Sequence, residues 1–216
     1  MIDSEAYMTA TAFYEIVEKR RTIRDFMDKV VPDEVLNRIL AAGLKAPSYD
    51  HARDWHFVVI REEHRIADVL AAVGKKAEWQ MEVVRNWTTA TDKQREMYFD
   101  AVPKQIRMLM QSRCLVLPLF KAPEKLMAPQ GLTDLNSFAS IWCVIENMLL
   151  AATAEGLGSA LRIPIYDEED YVLQKICAPK DYKFPCYLAF GYPAPDAPVI
   201  RQTNCPLTEH LHFEKW

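Results

Sequence analysis

A chain of 216 residues, half of them hydrophobic and 26% charged, has the composition of a globular protein with one sizeable core or two small ones. Its formal net charge of −4 argues against a general nucleic-acid binder, whose phosphate partner demands a basic face. No segment reads as an uninterrupted apolar run of bilayer length, and the N-terminus, with Asp3 and Glu5, lacks the order of a signal peptide.

Residues 11–19 read as a helix with Phe13, Ile16 and Val17 on its apolar side. It leads into Arg20-Arg21-Thr22-Ile23-Arg24, three guanidiniums and a hydroxyl within five residues. Arginine is a rigid, always-charged fork that grips phosphate in pairs of hydrogen bonds. On an acidic background the cluster favours a small anionic ligand over a polymer. The plainer reading is a basic helix end that complements the helix dipole.

A second helix starts at Pro32, with Val35, Leu36, Ile39 and Leu40 on one face, and is ended by Pro47 and the polar residues after it. Residues 55–60 read as a buried strand and 64–73 as a helix. Residues 75–111, polar, aromatic-sprinkled and helix-prone with Pro103 as punctuation, read as a lid inserted between core strands. Residues 114–120 form the next strand. Thr133 or Asp134 then caps a long helix through Glu155, apolar almost all round (Phe138, Ile141, Trp142, Val144, Ile145, Met148), which must be buried on several sides.

Gly156 and Gly158 close that helix. A strand over 159–165 and a helix capped by Asp167, with Glu168, Glu169 and Asp170 in its first turn, follow. Residues 187–192 are the last core strand, and the proline-rich tail 193–216 reads as an extended arm. The sum is a single α+β domain over 1–216, a small sheet surrounded by helices. Five scattered cysteines (Cys114, Cys143, Cys177, Cys186, Cys205) without a C-x-x-C pair read as reduced thiols of a cytoplasmic protein, several of them buried, with Cys143 structural. The histidines do not sit at ligand spacing from them, so no metal site is expected.

Four segments, in order, resemble the FMN-dependent nitroreductase family: Arg20 to Phe26 (Arg-Arg-Thr-Ile-Arg-Asp-Phe); Ala46-Pro47-Ser48 with Trp55 to Val59 beyond; Glu146 to Ala152 running into Glu155-Gly156-Leu157-Gly158 and Ile163-Pro164; and Phe190 to Pro193 with Arg201 after it. The resemblance implies a nitroreductase-like fold with a mostly antiparallel sheet, and an intertwined homodimer holding FMN at the subunit interface. It implies that Arg20, Thr22 and Arg201 hold the phosphate, that Arg21 either shares this task or forms a surface pair, and that Arg24 faces the pyrimidine edge. Pro47, Ser48 and Tyr49 would line the cofactor of the partner subunit, and Leu161, Arg162, Ile163 and Pro164 would pass the flavin edge near N5. NADH or NADPH would be the electron donor, and a nitroaromatic, quinone or activated alkene the acceptor, by ping-pong hydride transfer.

The segment from Tyr49 to Asp54 departs from the family pattern. Tyr49 crowds the substrate side, and His51 replaces an amide, a feature similar to the iodotyrosine deiodinase branch. That branch places a threonine hydroxyl beside N5, which Ile163 cannot supply. Reductive dehalogenation and a non-catalytic FMN-binding or sensing role are the alternatives. His51 is either a loop histidine or an acid–base group. Trp79, Trp87, Tyr98 and Phe99 either cap a substrate pocket or pack as core or interface. Glu146 and Asn147 satisfy backbone or interface groups. No Ser-His-Asp, Cys-His or paired-carboxylate constellation emerges, and no catalytic side chain is assigned, since a flavin carries its own chemistry.

Overall fold

The computed structural model describes residues 4–74, 77–124, 126–199, 202 and 204–216, with side chains from residue 11 onward except those of 77 and 78. Helix α1 (Ser4–Lys19) begins earlier than its apolar pattern suggested, because nothing in the preceding turns breaks a helix. Helix α2 (Asp33–Gly43) follows Pro32, carries Asp33 and Glu34 in its first turn, and buries Leu36 and Ile39. Strand β1 (Trp55–Ile60) and helix α3 (Glu63–Gly74) fall where the pattern put them.

The lid segment is two helices, α4 (Ala77–Asn86) and α5 (Asp92–Gln111). Thr91 and Gln94 start α5 with a reciprocal capping box. Pro103 does not punctuate: it lies inside α5, where Val102, Gln105, Met108 and Leu109 bury one face and hold the helix across the lost backbone bond. Strand β2 (Leu115–Lys121) is next, then a 3₁₀ turn (Leu132–Leu135) and helix α6 (Asn136–Ala154). Neither Thr133 nor Asp134 caps α6; Asp134 instead accepts from the Gln130 N–H at 2.9 Å.

Strand β3 is Gly158–Arg162, shorter than expected, since the chain turns away before Ile163-Pro164. Helix α7 (Glu168–Lys175) has Asp167 at its N-cap, where its side chain makes no capping hydrogen bond to the helix. A two-residue strand, β4 (Tyr182–Lys183), precedes β5 (Tyr187–Gly191).

The sheet order is β1-β2-β5-β3, antiparallel throughout, with β4 paired to β2. Register runs Trp55↔Phe120 to Ile60↔Leu115 on one side and Gly158↔Gly191 to Arg162↔Tyr187 on the other. Alternation along the strands sends Val116, Phe120, Leu188 and Phe190 into a core with α2 and α6. Leu115, Leu117, Leu119, Tyr187 and Ala189 face a second core with α3, α5 and α7. β2 is buried on both faces, which explains its continuous apolar run.

Residues Leu132–Ala154 are, by length and composition, long and apolar enough to span a bilayer, with mean hydropathy 1.4, which corrects the expectation that no segment is. Their apolarity has a packing cause. Ile141, Val144, Ile145 and Met148 are at most 1% exposed against α2 and the sheet, while Phe138 and Cys143 point outward. Cys143 is therefore not a buried structural thiol in this chain; Cys114 and Cys186 are the buried pair, and Cys177 and Cys205 are exposed.

Candidate cofactor and acceptor site

The arginine segment lies along the free edge of β3. Thr22 bridges Ser159 in parallel, the Ile23 N–H donates to Ser159 O at 2.9 Å, and the Met27 N–H donates to Tyr192 O at 2.8 Å. Two glycines make this contact possible. A Cβ on Gly158 would stand 2.8 Å from Ile23, and one on Gly191 would stand 2.9 Å from Phe26. Ile23 and Phe26 are thereby buried, while Thr22 stays exposed and Arg20 and Arg24 reach acidic residues of α6 and α5.

Each cation has a distinct setting. Arg20 makes a loose ion pair with Glu146 of α6, Nε to Oε1 3.6 Å, so Glu146 answers a side chain rather than a backbone group. Asn147 does serve the backbone, its amide donating to Ala42 O at 3.3 Å. Arg21 turns back and donates to the carbonyls of Glu18 and Arg20, an arrangement that closes the end of α1. Thr22 is exposed. Arg24 is mostly covered and stands 3.6 Å from Asp100 of α5. Burial lowers its pKa, a pull that the carboxylates of Asp100 and Asp25 only partly oppose.

Asp25 and Asp100 tie the segment to the lid. Lys104 Nζ donates to Asp25 at 2.7 Å and pairs with Asp100 at 2.6 Å, and Arg107 also reaches Asp25.

The second predicted group sits at the start of α6. The Tyr49 N–H donates to Ser140 Oγ at 2.9 Å, and that hydroxyl donates to Asn136 O at 2.7 Å. Ser48 Oγ is buried and finds no hydrogen-bond partner among the described residues. Such an orphan asks for one, and a ligand acceptor or donor would supply it. Pro47, Tyr49 and His51 are exposed. Asp50, His51 and Arg53 all have left-handed φ values, 52°, 52° and 49°. For residues with a Cβ this costs energy, and such clusters gather at functional sites.

The strand end forms the third group. Leu161 is half-buried, Ile163 is 52% exposed, and Pro164 follows. Arg162 turns its side chain inward and is 6% exposed. It donates through Nη1 and Nη2 to both oxygens of fully buried Glu168, and through Nε to Gln105 Oε1 at 2.6 Å. Only its backbone remains to pass a cofactor. Arg201 lies outside the described residues.

Beside this strand end the lid encloses an open cavity of about 780 Å³. Trp79, Trp87 and Tyr98 line it together with Val83, Val102 and Ile165. Three of the four lid aromatics therefore face a pocket; Phe99 is not among its lining residues and is exposed.

Sequence reasoning missed Asp100, Gln80, Gln105 and Glu168. Each is an ordinary polar residue of a helix; Asp100, Gln80 and Gln105 depend on partners far along the chain, and Glu168 on Arg162 only six residues before it, across the turn that leaves β3.

The model of the Nitroreductase family matches residues 17–192. A "Putative NADH dehydrogenase/NAD(P)H nitroreductase" of Methanothermobacter thermautotrophicus is 27% identical over 94% of this chain and 86% of its own. Iodotyrosine deiodinase 1 of Rattus norvegicus is 29% identical over half of this chain, a match that spans only 40% of the deiodinase. Among solved structures, oxidized iodotyrosine deiodinase bound to FMN and 3-iodo-L-tyrosine superposes with a TM-score of 0.73, covering 94% of this chain and all of that one at 21% identity. That last likeness speaks for the fold.

Proposed function

We propose that this chain, which belongs to the nitroreductase family, is an FMN-dependent oxidoreductase that uses NADH or NADPH to reduce an electron-poor small molecule. The observation that carries the reading is the clasp of Arg20, Thr22 and Arg24 against β3, whose far end opens onto an aromatic-lined cavity. FMN held by these residues would supply the redox chemistry, hydride transfer between a nicotinamide and an electron-poor acceptor.

The protein's own residues bind and orient. Arg20 and Thr22 would hold the phosphate, a dianion suited to forked, charge-assisted hydrogen bonds. Arg24 would place its charge at the N1–O2 edge, where reduction leaves negative charge, and so favour the reduced state. Ser48 would satisfy its buried hydroxyl on the ligand of a partner subunit. The exposed Ile163 and half-buried Pro164 would flank the reactive edge. Trp79, Trp87 and Tyr98 would stack on a flat acceptor and exclude water.

A homodimer belongs to the same reading. Phe13, Tyr14 and Val17 of α1, Phe138 of α6 and Ile163 are large apolar groups left 37–66% exposed, surface that a second copy would cover. The five free cysteines agree with a cytoplasmic location.

Dehalogenation is the second reading, favoured by the deiodinase likeness and by an aromatic cavity of suitable chemistry. Ile163, with no hydroxyl to offer the flavin edge, weighs against it.

The test is the visible spectrum of the purified protein before and after anaerobic addition of NADH or NADPH. A yellow protein that bleaches, and recolours when a nitroaromatic or quinone is added, is expected. Bound flavin that stays yellow would reject nicotinamide-driven reduction, and a protein that takes up no FMN would reject the reading altogether.

A further inference from the structure

We propose that Gln105 is a positioning residue that couples the lid to the strand end and so sets the width of the acceptor cavity. This rests on the reading of that cavity as the acceptor site.

A continuous set of hydrogen bonds runs between the cavity's two walls. Gln80 of α4 lines the cavity, and its Oε1 accepts from Gln105 Nε2 at 2.6 Å. Gln105 Oε1 accepts from Arg162 Nε at 2.6 Å. Arg162 donates to both Glu168 oxygens, and Glu168 Oε2 also accepts from the Ile165 N–H at 3.0 Å. Ile165 lines the cavity again, from the side of the strand end.

Chemistry fixes the direction of this relay. A guanidinium can only donate, so the Gln105 oxygen must face Arg162 and its NH₂ must face the lid. The Gln80 carbonyl is then the group that must meet it. Gln105, Arg162 and Glu168 are 5%, 6% and 0% exposed, so water cannot replace a lost partner, and each break leaves a buried group unsatisfied. The Arg162–Glu168 pair alone would hold β3 to α7. Gln105 extends that rigid unit to α4, and among the described residues its bond to Gln80 is the one side-chain hydrogen bond joining α4 to another element. Both cavity walls thus answer to one anchored guanidinium.

Two variants cut the link at different points. Gln105→Glu keeps an acceptor for Arg162 but removes the donor to Gln80, and Gln80→Met removes the acceptor and leaves Arg162 untouched. Hydrogen exchange of the α4 amides in the FMN-loaded protein should quicken about five- to tenfold in both, while β3 and α7 stay protected. The double variant Gln105→Glu/Gln80→Lys, in which an ammonium donates to the new carboxylate, should restore slow exchange.

In steady-state assays Gln105→Glu should raise KM for nitrobenzene several-fold relative to 1-nitronaphthalene. The rate of flavin reduction by NADH should not change. Unaltered α4 exchange in both single variants would overturn the coupling. Faster exchange with an unaltered ratio of the two KM values would overturn its role in specificity. A protein that reduces neither probe would reject the acceptor reading instead, with the exchange experiment still deciding the coupling.

Discussion

The arginine segment and the lid both flank the candidate site, yet they are attached to the protein by different means. Residues 22–27 are attached by backbone hydrogen bonds to the sheet edge and by Ile23 and Phe26 filling the spaces over Gly158 and Gly191. The lid is attached by α5's buried face and, in α4, by a polar relay that ends on Arg162. The first attachment suits a cofactor that stays, since its geometry depends on covalent backbone and close packing. The second suits a wall that must admit and release an acceptor, because few side-chain bonds can break without unfolding the sheet.

The heaviest blow to this contrast falls where the relay meets the core. Glu168→Leu should destabilise the protein by about 3–5 kcal/mol in a denaturant titration, because it strands the buried Arg162 charge. Arg162→Met/Glu168→Leu should recover most of that loss, since an apolar pair of similar volume needs no compensation. A double variant no more stable than Glu168→Leu alone would deny that the stranded charge is the cause.

Arg20→Ala tests the other region through its ligand. Losing a charge-assisted phosphate contact should weaken FMN binding by about 1.5–3 kcal/mol, read as flavin fluorescence quenched on titration, with the melting temperature of the flavin-free protein nearly unchanged. Equal FMN affinity would remove Arg20 from the phosphate site.

Gly158→Ala probes the clasp itself. The new Cβ would meet the β-branched carbon of Ile23, which backbone bonding prevents from yielding, so a loss of about 1–3 kcal/mol is expected, together with weaker FMN binding. Adding Ile23→Ala, which removes Cγ1 and Cγ2 and leaves only the Ile23 Cβ position in the way, should return part of the stability. If Gly158→Ala melts like the parent, the segment is not held by close approach.

These two regions were unequally legible in the sequence. β2 and β5 stood out as apolar runs because a strand buried on both faces has no polar alternation to confuse it, β1 through its aromatic and β-branched residues although it lies half-buried at the sheet edge, and α6 through its unbroken apolarity. The arginine cluster was visible as chemistry, but its place beside β3 depends on two glycines far along the chain, and only motif order pointed there. The inward turn of the Arg162 side chain was not legible because a charged residue at a strand end is ordinarily solvated, and its partner Glu168 reads as a helix-start acid answering the dipole. Pro103 misled because local propensity cannot register the packing that carries α5 through it.

The smallest expected effect sharpens the same distinction between buried and exposed attachment. Arg38 and Glu155 form a two-pronged pair between α2 and the end of α6, Nε and Nη2 each 2.7 Å from a carboxylate oxygen, with Arg38 largely exposed. The hydrogen bond from Arg38 lowers the Glu155 pKa, and the same bond raises that of Arg38, so both partners favour the charged state. A carboxyl whose pKa is lower in the folded than in the unfolded chain contributes stability above the unfolded value, about 4.3, and loses it as pH falls through the folded value. Denaturation midpoints of the parent and Glu155→Gln, measured from about pH 7 down to about pH 3, should therefore converge on acidification. High salt should narrow the gap at neutral pH, because solvent and ions screen an exposed pair where they cannot reach Arg162 and Glu168. A gap that persisted at low pH and in high salt would mean that Glu155 acts through packing rather than charge.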